Sequence, residues 1–303
     1  MAKSREIRRR VKETTTVNVF REGVLVHLKV GRWGARAKMK EEHLPDDFPR
    51  EVARAVQDLI EDKTLLQDIS SIRRECKRYL INRSLPFPVD GLFFVPKKFI
   101  LDIDNFFENK KEEYNEKVNE FFSQYGRLKR DFRRRYPEIY RDEKYPRESI
   151  LRRKFYFHWS FRQFVVPDKE MEILSPDVYR KEMAKFKQDI EEMKNMTVAV
   201  IGNAFVKKIN TLARQCNNEK INAGTIKGIN QLLEKFDTLW GDFVGQKQLK
   251  STIEEVRRHM KTVSADRLRE NEDFREKIGS QMEKIVGKLE KLPDVRLKRK
   301  LDV

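Results

Sequence analysis

Two runs of about forty residues each dominate this chain, Pro96–Tyr136 and Pro176–Cys216. The first carries Phe99, Ile103, Phe106, Tyr114, Val118, Phe121, Tyr125, Leu128 and Phe132 at alternating four- and three-residue steps. That spacing is close to a coiled-coil heptad and predicts one helix about 60 Å long. Lys110 interrupts the seam, Gly126 weakens it and Pro137 stops it. The second run opens on Ser175-Pro176-Asp177, which reads as N-cap, first helical residue and dipole-compatible acid. Tyr179, Met183, Phe186, Ile190, Met193, Val200, Ala204, Ile209, Leu212 and Cys216 continue its seam. Their similar lengths predict an antiparallel hairpin. Around Val198–Phe205 the second run is apolar nearly all round, so several helices are expected to meet there.

Charged residues make up 38% of the 303, hydrophobic residues 39%, and there are 12 glycines. Such a balance favours an elongated helical protein with much surface per residue over a many-turned sheet. The expected class is therefore mainly α with a small β element of two or three short strands. Val24, Val26, Leu28 and Val30 alternate with other residues as a strand does. So do Phe155, Phe157, Trp159 and Phe161, ahead of Val165, Val166 and Pro167. This aromatic strand needs a partner, either Val24–Val30 or the short extended piece Leu92–Val95. Val52, Val56, Leu59 and Ile60 fit a short amphipathic helix, and Leu66, Ile69, Ile72, Cys76 and Leu80 a second. The organisation read from these signals is a basic arm (1–16), a strand-plus-helices region (17–95), the long hairpin (96–217), a C-terminal helical region (218–292) and a basic tail (293–303).

No local signature of catalysis or cofactor binding stands up to inspection. In Gly245–Thr252, aligning Lys250-Ser251 with the end of a phosphate loop puts Val244 and Leu249 where glycines are needed. Asp102, Asp104 and Glu108 fit no calcium loop, because Phe106 falls among them and no glycine makes the turn. His27, His43, His158 and His259 lack metal-ligand spacing, and Cys76 and Cys216 read as reduced core thiols. The catalytic, cofactor and metal assignments are accordingly none, and the expectation is a protein that is not an enzyme. The longest apolar stretch, Val198–Val206, falls far short of the ~20 residues that span a bilayer, so no membrane partner is expected.

Charge is the readable functional signal. Lys plus Arg number 66 against 49 Asp plus Glu, a formal net charge of +17. Such an excess points to a polyanionic partner. The first half of the first long run is rich in Glu, whereas Arg127 to Lys154 holds twelve bases against five acids. Tyr136, Tyr140, Tyr145, Phe155 and Tyr156 interleave with them. Arginines mixed with exposed aromatics hold phosphates and stack bases. The candidate nucleic-acid-binding residues are Arg127, Arg130, Arg133, Arg134, Arg135, Arg152, Arg153, Lys154 and Arg162, on the basic and aromatic connection at 127–166. An Arg-rich solvated helix end, favoured by the helix dipole, is the plainer account of the same residues.

The order of VLVHLKVGRWGARAKM, GLFFVPKKF and LRRKFYFHWSFRQFVVPD resembles a family of bacterial, phage and mobile-element proteins catalogued as a domain of unknown function. The resemblance runs from Val24 to the region of Cys216. It implies a setting near a MoxR/cobaltochelatase-type AAA ATPase and a von Willebrand A-domain protein, and it supplies no catalytic residues. The expected function is a non-enzymatic adaptor in the bacterial cytoplasm contacting nucleic acid. The alternative is an assembly component or accessory subunit of an AAA ATPase module, with a homo-oligomer compatible with either.

Overall fold

The computed structural model describes residues 23–39, 55–163, 175–241 and 247–292, together with Leu44 and Ile173. The expected basic arm and basic tail lie outside these residues, as do His43, Val52, Val165 and Val166. Of the described residues 68% are helical and 12% lie in strands, so the protein is mainly helical with a minor β component. The elements are β1 (Gly23–Gly31), β2 (Arg36–Lys38), β3 (Val56–Asp58), α1 (Thr64–Ile81), β4 (Leu85–Pro86), β5 (Leu92–Pro96), α2 (Ile100–Arg135), α3 (Glu148–Arg152) and β6 (Tyr156–Arg162). They continue with α4 (Pro176–Asn217), α5 (Ala223–Lys235), α6 (Lys247–Met260), α7 (Ala265–Glu270) and α8 (Glu272–Leu289). Among the described residues six strands thus replace the two or three expected. β2, β3 and β4 are only two or three residues long, too short for alternation to show in the sequence.

Strand neighbours run β4-β5-β1-β6 in one sheet and β2-β3 in the other. The aromatic strand therefore sits beside β1. The chain divides into two compact units. One, the α2 unit, comprises His27–Asn82 and Lys98–Ser160; the other, the α4 unit, comprises Met1–Val26, Arg83–Lys97 and Phe161–Val303.

In the α2 unit, α2 packs on α1 and on the aromatic strand. Ile103, Phe107, Tyr114, Phe121, Phe122, Tyr125, Leu128 and Phe132 form its buried face. Phe107 takes the place expected of Phe106, which instead stacks on Tyr79 of α1 at 3.7 Å. Helix α2 starts four residues later than expected, because Pro96 ends β5 and Lys97–Phe99 make a 3-10 turn. Trp33 packs tilted against Phe121 and edge to face with Tyr125, and the Tyr114 hydroxyl donates to the Gly31 carbonyl at 2.6 Å. Lys110, the interruption in the seam, bridges Glu75 of α1 and Glu113, both at 2.7 Å.

The helix expected around Val52–Ile60 is not formed over its described part. Val56–Asp58 is strand, antiparallel to β2 with Ala37 opposite Gln57. Val56 is exposed while Gln57, Leu59 and Ile60 are buried, so Val56 does not share a buried face with Leu59 and Ile60.

In the α4 unit, α4 packs chiefly on α8 and also on α5 and β4. Pro176 occupies its first turn as expected. Thr197, Val198, Ala199, Ile201, Gly202 and Phe205 are all buried, so the stretch expected to be apolar all round is the most enclosed part of the helix. The two long helices belong to different units and each packs on a shorter helix of its own. A period-3.5 seam specifies a helical partner without saying which one.

Candidate functional site

The basic half of α2 and the segment after it fold back on the α2 unit. Pro137 ends the helix, and the following residues are tied down one by one. Tyr145 is buried and its hydroxyl donates to the Leu59 carbonyl at 2.7 Å. The Tyr125 hydroxyl donates to the Pro146 carbonyl at 2.9 Å. Gln57 reaches from β3 to the Ile139 carbonyl at 3.2 Å, and Lys144 returns to the Gln57 side-chain oxygen at 2.8 Å. Asp142 collects the Lys129 ammonium at 2.8 Å and the Tyr140 hydroxyl at 2.6 Å, and these hydrogen bonds hold its carboxyl below the usual range. Burial pushes the Tyr125 phenol up to about 12.

The expected basic residues separate into groups. Helical geometry puts Arg127, Arg130 and Arg134 on the face of α2 opposite Tyr125, Leu128 and Phe132. Arg127 donates to Gln124 at 2.8 Å, and Arg134, 83% exposed, pairs loosely with Asp131 at 3.3 Å. Arg135 leaves this face for Glu61 at 2.5 Å. Arg133 lies over the Tyr140 ring, 5.6 Å from its centroid. Arg152 covers Phe122 at 4.1 Å and pairs with Glu148 at 2.7 Å. Arg130, Arg153 and Lys154 are exposed, and their side chains have no hydrogen-bond or ion-pair partner among the described residues. Arg162, the last residue of β6, falls in the α4 unit.

The aromatics depart further from expectation. Tyr145 is in the core, Phe155 packs on Phe121 and Phe122, and Tyr136 leans on Phe132. Only Tyr156 of the five is largely exposed, at 50%, and its ring lies over Gly31. Alternation of aromatics and bases here reflects a buried side and a wet side of one segment, not a stacking platform. Sequence reasoning missed Glu61 and counted Asp142 only as one of five acids, because their partners lie on other elements. What remains is an arginine face suited to phosphate oxygens and ill suited to reading bases.

Among the described residues no group of His, Cys, Asp and Glu could hold a metal ion. None of their helices is long and apolar enough to cross a membrane. His158 is exposed on β6, and Asp104 accepts the Trp159 indole N–H at 2.8 Å, which accounts for that carboxylate as a structural partner.

Residues 21–282 match the family described as Protein of unknown function (DUF3150). The chain belongs to the DUF3150 family. The match runs well past Cys216, so family character extends through α5, α6 and α7 and into α8. No curated protein and no solved structure matches the chain.

Proposed function

We propose that this DUF3150 member is a non-enzymatic adaptor that binds nucleic acid through the outward arginines of α2 and the bases at the end of α3. One observation carries the reading: Arg130, Arg153 and Lys154 stay exposed and unpaired among the described residues while their neighbours are tied to carboxylates. Arg127, Arg130 and Arg134 span about 10 Å along the helix, comparable to three steps of a nucleic-acid strand at about 3.4 Å each. Because the neighbouring aromatics are occupied, binding is to backbone phosphates and tolerant of sequence. On the resemblance to proteins encoded beside an AAA ATPase and a von Willebrand A-domain protein, we propose such a complex as the setting in which the adaptor works.

The test is retention on immobilised DNA and RNA across a salt gradient. Salt-sensitive retention is expected. The triple variant R130E/R153E/K154E should elute earlier and with a shallower salt dependence, the slope falling by about 0.9 for each duplex-DNA phosphate that is no longer neutralised. Purification from the native host without nuclease that returns an AAA ATPase and no nucleic acid would overturn the reading.

A further inference from the structure

A second basic site forms where the loop after β1 meets α1. Ser70, Arg73, Arg74 and Lys77 stand at positions i, i+3, i+4 and i+7 and share one flank of α1. The acids of α1 lie on the other flank. Glu75 is paired with Lys110 at 2.7 Å and Asp68 lies 3.7 Å from Lys117, both on α2. The helix thus spends its carboxylates on α2 and leaves Arg73 and Arg74 on the flank facing the loop.

Arg32 is laid onto that flank from the loop. Its Nε donates to the Ser70 hydroxyl and its Nη1 to the Trp33 carbonyl at 2.8 Å. Those two bonds use two of five N–H groups and leave three, including both on Nη2. The loop that presents them is fixed. Trp33 and Ala35 are buried, Ala35 sits in the left-handed region at φ 51, and its carbonyl accepts the Leu59 amide at 2.9 Å. Arg36, the next base, is held by Asp58 at 3.3 Å. Arg73 and Arg74 are exposed with no side-chain partner among the described residues. Arg36, Arg73 and Arg74 all lie within electrostatic reach of Arg32, and burial together with this repulsion lowers the pKa of its guanidinium. Gathering like charges costs free energy that a bound anion returns.

We infer that Arg32, Arg73 and Arg74, backed by Arg36 and Lys77, form a phosphate-binding site on the free flank of α1. A phosphate fits because it accepts several charge-assisted hydrogen bonds at once from forked donors. The same chemistry occurs in a free di- or triphosphate and in a nucleic-acid backbone. The site is separate from the α2 arginines and does not depend on the reading given for them.

Two probes are used with the full chain at constant ionic strength, sodium pyrophosphate by calorimetry and a labelled single-stranded oligonucleotide by fluorescence anisotropy. The variant is R73Q/R74Q, both positions being exposed, with an unchanged circular dichroism spectrum as the check on folding. Pyrophosphate binding weakened about tenfold or more in the variant supports a free-phosphate ligand. Binding of the oligonucleotide alone, weakened to a similar degree, supports a backbone ligand. A pyrophosphate response that survives R130E/R153E/K154E but not R73Q/R74Q, in a chain that ignores oligonucleotides, keeps this site and defeats the α2 reading. Binding of neither probe, or equal binding by wild type and R73Q/R74Q, overturns the inference.

Discussion

Tyr114 is almost fully buried, yet it carries a hydroxyl, and that hydroxyl's position ties α2 to the end of β1. Burial raises its phenol pKa, so it remains a neutral donor to the Gly31 carbonyl across the working pH range. Replacing it with Phe keeps the ring against Phe157 and strands the carbonyl. Y114F should lose about 1 kcal/mol of stability in urea unfolding, with the m-value unchanged. Lys235 offers a pH test in the α4 unit. Desolvation first, and Arg83 second, lower its ammonium to about 8 from its usual value. The folded state therefore resists protonating this side chain. The penalty is full below the folded pKa and fades as pH rises through 8 toward the unfolded value. The Tm of K235M relative to wild type should accordingly be more favourable at pH 7 than at pH 10, and a difference of the opposite sign would contradict the burial of this amine.

At the scale of elements, two glycines in the packed helices of the α4 unit behave differently. A Cβ on Gly279 of α8 would meet Cys216 Cβ at 3.2 Å and Asn217 Oδ1 at 3.0 Å, whereas one on Gly202 of α4 would find only a Leu292 methyl at 3.8 Å. G202A should stabilise by about 0.5–1 kcal/mol through reduced chain entropy. G279L should destabilise by about 1–3 kcal/mol, because the α4–α8 packing must open. Thermal melts of the two variants read both signs. The sequence made the long helices legible, since a seam of nine apolar side chains has one regular solution. It also made β1 and β6 legible through their alternation. It did not reveal β2 and β3, because three residues cannot display a period, nor the helix partners, because an apolar stripe does not name its mate. At the candidate site the bases were readable as types, but their availability was not. Whether Arg135 is free depends on Glu61, and that carboxylate arrives from another segment. Arg32 and Ser70 likewise become neighbours only in the folded unit, and no local spacing announces them.

For the whole molecule, charge is distributed unevenly rather than simply in excess. The net +17 is a property of the full chain, but on α1 and α2 most acids are consumed between the helices or along them, and the unpaired bases face outward. Surface ion pairs of this kind add little stability one by one, so their larger effect is on which cations stay available. Raising salt should therefore weaken polyanion binding strongly while leaving Tm nearly unchanged, which parallel retention and melting measurements across the same salt range will show.

The two units are also interleaved along the chain. The α2 unit is built from two stretches, and the residues between them, Arg83–Lys97, belong to the α4 unit together with Gly23–Val26 and everything from Phe161 onward. During synthesis at about 5–20 residues per second, the β4–β5 hairpin and the start of β1 emerge before the helices of their own unit exist. For several seconds these apolar strand pieces have unpaired edges, the kind of template on which chains associate wrongly. No single cut in the gene yields either unit intact. Fragments made by truncation should be poorly expressed and aggregation-prone, so each surface is better dissected by point substitution in the full chain.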